Sequence, residues 1–161
     1  MPAGTFTVRV EGAHEAVFAL RAMDTGVRRN VARAVQVSTL NIHRRARQKL
    51  RDEGAVDTGR ALASIAWIRV GLDGVVSVDA TYGKYIEFGT GPHFPPLDAL
   101  REWCRRHGMA GLEFVVARHI ARVGTPARPF LHPAYQEELP VFRAAVGAAI
   151  LMGVMQGGKY G

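Results

Sequence analysis

The side chains of this chain that could do chemistry are six histidines, one cysteine and a few carboxylates. His14, His43, His93, His107, His119 and His132 contain no pair at metal-site spacing on one helix, and no His-Glu-x-x-His occurs. Cys104 could serve as a nucleophile only with an imidazole beside it. It falls on an apolar helical stripe, where a cysteine acts as a small core residue. Glu87 stands near Tyr85, Gly89 and His93. A hydrolytic acid–base pair would need a second carboxylate, and Asp79 and Asp98 carry no diagnostic spacing. Gly89-Thr90-Gly91 is too short for a phosphate loop and lacks its lysine. No catalytic, cofactor or metal site is therefore expected. Glu87 is instead expected to be a structural partner of a basic group such as Arg128 or Arg60.

The most distinctive stretches shape backbone. Asp57, Thr58, Gly59 and Arg60 offer a cap and a close approach for one helical turn. Tyr85, Glu87, Phe88, Gly89 and Thr90 read as a strand end broken by glycine. Arg128, Pro129, Phe130, Leu131 and Pro133 place an aromatic anchor between two prolines, which fix it at small entropic cost and let its ring bury a large apolar area.

The elements that position these residues follow from periodicity. Phe6 to Val10 alternates as a strand. Ala13 to Met23 is compatible with a short helix, and Asp24-Thr25 with the cap of a longer one. Val27, Val31, Val35, Ser38, Ile42, Ala46 and Leu50 lie mostly four apart and predict a helix over 27–50. Ile65–Val70 and Val75–Ala80 read as strands joined by the turn Gly71-Leu72-Asp73-Gly74. Tyr82–Phe88 reads as a third. Pro95-Pro96 opens a helix over 97–107 with Leu97, Leu100, Trp103 and Cys104 inward, ended by Gly108. A second helix over 112–123 turns Phe114, Val115, Ala117 and Ile120 inward. After a short extended link at Phe130-Leu131, the last helix runs over 134–155 with Leu139, Phe142, Val146, Ala149 and Ile150 on its apolar side. Residues 153–161 read as a frayed, flexible tail. The expected fold is α+β, one domain over 1–161. A small, mainly antiparallel sheet is packed by a long N-terminal helix and a C-terminal helix, with an inserted helical hairpin at 92–124.

Composition bounds the function. Hydrophobic residues make up 48% of the 161, enough for a core. One cysteine excludes an internal disulfide and suits a reducing cytoplasm. Ala144–Met155, the longest apolar stretch, is short for a bilayer span, so no membrane partner is expected. Net charge is +7, which admits nucleic acid or an acidic protein surface. Between Arg28 and Arg51 stand eight cations and no acid. Arg44, Arg45 and Arg47 are expected to face a partner; a solvated flank is the plain alternative. The same segment, 28–51, could lie on nucleic-acid phosphates, although it lacks interleaved aromatics and a helix-turn-helix pattern.

Tyr-x-Glu-Phe-Gly-Thr at 85–90 and Pro-x-x-Pro-Phe-Leu-x-Pro-Ala at 126–134, in this order, resemble the tail-completion or head–tail joining family of long-tailed phages. The resemblance spans roughly residues 25 to 140 and includes Phe94–Trp103, which is similar to an insertion many members carry. Ala61-Leu62 and His132 depart from the family pattern. The resemblance implies a non-enzymatic structural protein of the virion neck, made in the host cytoplasm. It implies a homo-oligomeric ring, six-fold by expectation, that meets head-closure or connector proteins on one side and tail-terminator or tail-tube proteins on the other. DNA would pass through the ring without being read.

Overall fold

The four-residue spacing of Val27, Val31, Val35, Ile42, Ala46 and Leu50 produces one long helix, α1 (Thr25–Asp52), with that face buried. Burying each such side chain is worth roughly 1.5–3 kcal/mol. Repulsion between exposed like charges one turn apart costs only a few tenths. Packing therefore decides that this cation-rich segment is helical. The computed structural model describes residues 6–10, 25–54 and 57–157. The expected segment 13–23 and the end of the tail at 158–161 lie outside these residues.

The architecture is α+β, as expected. A three-stranded antiparallel sheet has the order β1 (Phe6–Val10), β3 (Asp73–Val78), β2 (Ile65–Val70). Val70 pairs with Asp73, so Gly71-Leu72 make a two-residue hairpin turn. β3 alternates strictly, with Gly74, Val76 and Val78 buried. Val76 and Val78 join Ile65 and the inner face of α1 in the core. A short helix, α2 (Arg60–Ser64), leads into β2.

Four expectations are corrected. Tyr82–Phe88 is not the third strand; β1 takes that place, and residues 83–88 form helix α3 (Gly83–Phe88). The alternation of Tyr82, Lys84, Ile86 and Phe88 suggested a strand. The buried residues are Gly83 and Glu87, four apart, and the N–H of Ile86 bonds to Tyr82 O at 3.2 Å. Asp57 and Thr58 do not cap α2: its first residue follows Gly59 in the left-handed region, with no side-chain cap bond. On the inserted hairpin, α4 (Leu97–Arg106) buries Cys104 and half-buries Leu100 and Trp103, but leaves Leu97 exposed. α5 (Glu113–Val123) buries Ala117 and half-buries Ile120, but leaves Phe114 and Val115 exposed. The final helix, α6 (Leu131–Gly157), begins at Leu131 rather than after an extended link, and it is helical as far as Gly157, four residues into the expected tail.

α6 lies antiparallel on α1. Gly153 sits so close to Val27 that any Cβ there would collide with it. Toward the other end, Asn41 Nδ2 donates to Glu138 Oε1 at 3.1 Å, and Arg45 Nε lies 3.5 Å from Glu138 Oε2. By length and composition α6 is long and apolar enough to cross a membrane, a test that a core helix also passes. Its inner side, with Phe142 and Ala149, packs into the core.

His43 joins α1 to β2 through Nε2 and Ile65 O, 3.1 Å apart, and its Nδ1 is buried without a hydrogen-bond partner. Desolvation lowers its pKa below 6.5; the Ile65 carbonyl opposes this, and the charges of Arg47 and Arg44 reinforce it. With the folded pKa depressed, the unfolded chain binds the extra proton first. The contribution of His43 is therefore complete above pH 6.5 and is lost as pH falls through the folded value. Urea melts at pH 7 and pH 5 are expected to show lower stability at pH 5, and His43→Gln is expected to reduce that difference. An equal loss in the variant would contradict this.

Candidate functional site

Glu87 is a large side chain that is fully enclosed, 2% exposed. Its carboxylate turns to the N-terminus of α6. Oε2 accepts from Phe130 N at 2.8 Å and Leu131 N at 2.9 Å, and Oε1 accepts from His132 N at 2.8 Å. The first N–H groups of a helix have no partner within the helix, and they carry the positive end of its dipole. Glu87 thus caps α6 from 43 residues away in sequence. The expectation that Glu87 pairs with a basic group such as Arg128 or Arg60 is corrected: its partners are backbone N–H groups. Arg60 is exposed at the start of α2. Arg128 is exposed, donates weakly to Glu53 O at 3.4 Å, and gives its backbone N–H to Ile86 O at 2.8 Å. Pro133 sits in the first turn of α6, where a missing N–H is no loss. Phe130 and Leu131 are fully buried, and Pro129 is exposed.

A second device roots the inserted hairpin. Thr90 N donates to Thr125 O at 3.0 Å and Thr125 N to Thr90 O at 3.1 Å, with the two hydroxyls 2.9 Å apart. Gly89 and Gly124 beside them have φ of 69° and 76°, and a Cβ on either would strike the opposite chain. Only glycine allows the two segments to approach this closely. Asp57 ties the far end of α4 to the body. Arg106 grips its two oxygens at 2.9 and 2.5 Å, and His107 Nε2 lies 3.3 Å away. The Arg106 hydrogen bond holds the Asp57 carboxyl below its ordinary pKa of 3.8, against a smaller effect of desolvation.

Between hairpin and body lies a groove of roughly 900 Å³. Tyr82, Tyr85 and Ile86 form one wall; Trp103, Ile120 and Val123 form much of the other. Asp57, His107, His119 and Arg128 supply its polar edge. The Asp57 carboxylate is already engaged. Among the described residues no three His, Cys, Asp or Glu gather to hold a metal ion. The groove's walls are thus mainly apolar, with these few polar side chains at the edge.

The remaining expected site residues divide. Tyr85 is half exposed with Lys84 Nζ 4.9 Å over its ring. Phe88 is 67% exposed, edge-on to Phe6 at 5.7 Å. Thr58 is exposed. The three partner-facing arginines are not equivalent. Arg47 is half buried and donates to Leu62 O at 2.6 Å. Arg45 pairs with Glu137 at 3.3 Å and approaches Glu138. Arg44 alone of the three is exposed without such a partner among the described residues. Arg28, Arg29 and Arg33 extend the exposed cationic surface along α1.

Glu138, Arg106 and Thr125 escaped the sequence reading. Glu138 carried a signal: it lies at i+4 from Ala134 and i−4 from Phe142, on the buried stripe of α6. Arg106 and Thr125 carried none, because their partners are 49 and 35 residues distant. Comparison with known proteins finds no matching family model, curated protein or solved structure.

Proposed function

We propose that this chain is a structural subunit of the head–tail junction of a long-tailed phage, prophage or gene-transfer particle, assembling into a closed ring between capsid connector and tail. One observation carries the reading. The two segments that bear the resemblance are parts of one device: Glu87 of the first caps the helix that begins at Phe130-Leu131 of the second. The most distinctive residues of the chain are thus consumed in fixing backbone. Large apolar side chains remain outward on the hairpin and α6, among them Phe114, Val115, Leu151 and Met155. Where such side chains lie together they offer the kind of surface an assembly contact covers. Deleting the gene is expected to leave filled heads and separate tails that fail to join. Normal yields of joined, infectious particles would contradict the proposal.

A second reading is non-specific nucleic-acid binding through Arg28, Arg29, Arg33 and Arg44, favoured by their shared exposure on α1. It requires that the isolated chain bind DNA with an affinity falling steeply with salt.

A further inference from the structure

The inserted hairpin is built as a body of its own. α4 and α5 pack on each other, and each contributes a fully buried residue, Cys104 and Ala117. Neither lies closely along α1, α6 or the sheet. Where the hairpin faces α3, the groove of roughly 900 Å³ lies between them in place of packed side chains. Two attachments hold the hairpin to the rest of the chain. One is its root, the Thr90–Thr125 bridge. The other is at the far end of α4, where Asp57 takes Arg106 at 2.9 and 2.5 Å and His107 Nε2 lies 3.3 Å away. Among the described residues no other hydrogen bond or ion pair joins 92–123 to the body.

The two attachments differ in kind. The root is backbone bonded to backbone, with two glycines pressed against the opposite segment, so it is a fixed point. Just beyond it the chain is free to turn. Gly91 is exposed, and a Cβ built on it would meet nothing within 4 Å. On the other side α5 ends at Val123, directly before Gly124. Hinges are made of a few such loop and element-terminal residues, which absorb the change in φ and ψ. The far attachment is an ion pair between side chains that keep 38% and 30% of their surface in solvent. Pairs of this kind hold weakly and are screened by salt. Glu102 Oε2, 3.9 Å from Arg106 Nη1, draws on the same guanidinium from within α4. We propose that the hairpin is a hinged arm: α4 and α5 swing as one body about Gly91 and Val123, and the Asp57 latch sets whether the groove is shut or open. With the latch closed, Trp103 and Ile120 stand across the groove from Tyr82 and Ile86. With it released, the two walls separate and both meet solvent. The inference stands apart from the assembly reading above, because it concerns the motion of a single chain.

The test measures the separation of two nitroxides in the full chain by pulsed electron paramagnetic resonance. One is placed on Thr81→Cys, beside α3, and the other on Ala110→Cys, between α4 and α5. Both positions are exposed, and the native Cys104 is fully buried. At low salt one separation is expected to dominate. Asp57→Ala and Arg106→Ala are each expected to raise the population of longer separations at least about twofold, and 1 M sodium chloride is expected to do the same in the parent. Deuterium exchange on the same samples is expected to leave the amides of α4 and α5 as protected as in the parent, because an arm that swings keeps its own hydrogen bonds. Separations unchanged in both variants and in salt would overturn the hinged arm. Longer separations accompanied by faster exchange throughout α4 and α5 would overturn it as well, since the hairpin would then be unfolding and not turning.

Discussion

Glu87→Ala is expected to lower stability by about 3–5 kcal/mol, a large fraction of the margin of an ordinary domain. The variant leaves the N–H groups of Phe130 and Leu131 buried without an acceptor, and that of His132 partly so. Each unsatisfied buried donor costs about 1–3 kcal/mol. Loss of a helix cap alone costs about 0.5–2. Glu87→Gln keeps the shape but replaces one acceptor by an NH2 group that must face a backbone donor, so it is expected to cost about half as much. Urea melts read both variants, and amide exchange is expected to speed up first at Phe130, Leu131 and His132. A Glu87→Ala variant within 1 kcal/mol of the parent would show that the cap is not what holds α6 in place.

Phe130→Ala is expected to cost about 3–5 kcal/mol. The ring is fully buried and meets Phe6 edge-on, with centroids 6.5 Å apart. Its removal leaves a cavity where β1, the Glu87 cap and the start of α6 meet, so the loss should not be confined to one element. Phe130→Leu keeps part of the volume and is expected to recover part of the loss. Unchanged melting of Phe130→Ala would refute the anchor. The two sites share backbone, so the double variant is expected to lose less than the sum of the single losses.

How much of this was legible in the sequence depends on the range of the interactions. The inner face of α1, the strands 6–10 and 65–70 and the two-helix insertion follow from local periodicity. Phe130 was legible because prolines on both sides make an aromatic anchor economical to fix. Residues 82–88 misled because a seven-residue segment fits period two and period four equally well. The helix wins because Glu87 must project toward the α6 N-terminus, a demand set by residues more than forty positions away. The same distance hides the partners of Asp57 and Thr90. Arg45 and Arg47 seemed free because a helical flank rich in cations looks solvated; their acceptors, Glu137 and Leu62 O, lie on other elements. Replacing them with glutamine would therefore disturb the fold as well as any partner surface.

The central claim is that this chain serves assembly and not chemistry. Electron cryomicroscopy of the particles encoded with this gene tests it most directly. The account predicts this chain as a closed ring between capsid and tail tube, with Glu87 still seated on the α6 N-terminus in every subunit. Joined particles whose junction density holds no copy of this chain would contradict it.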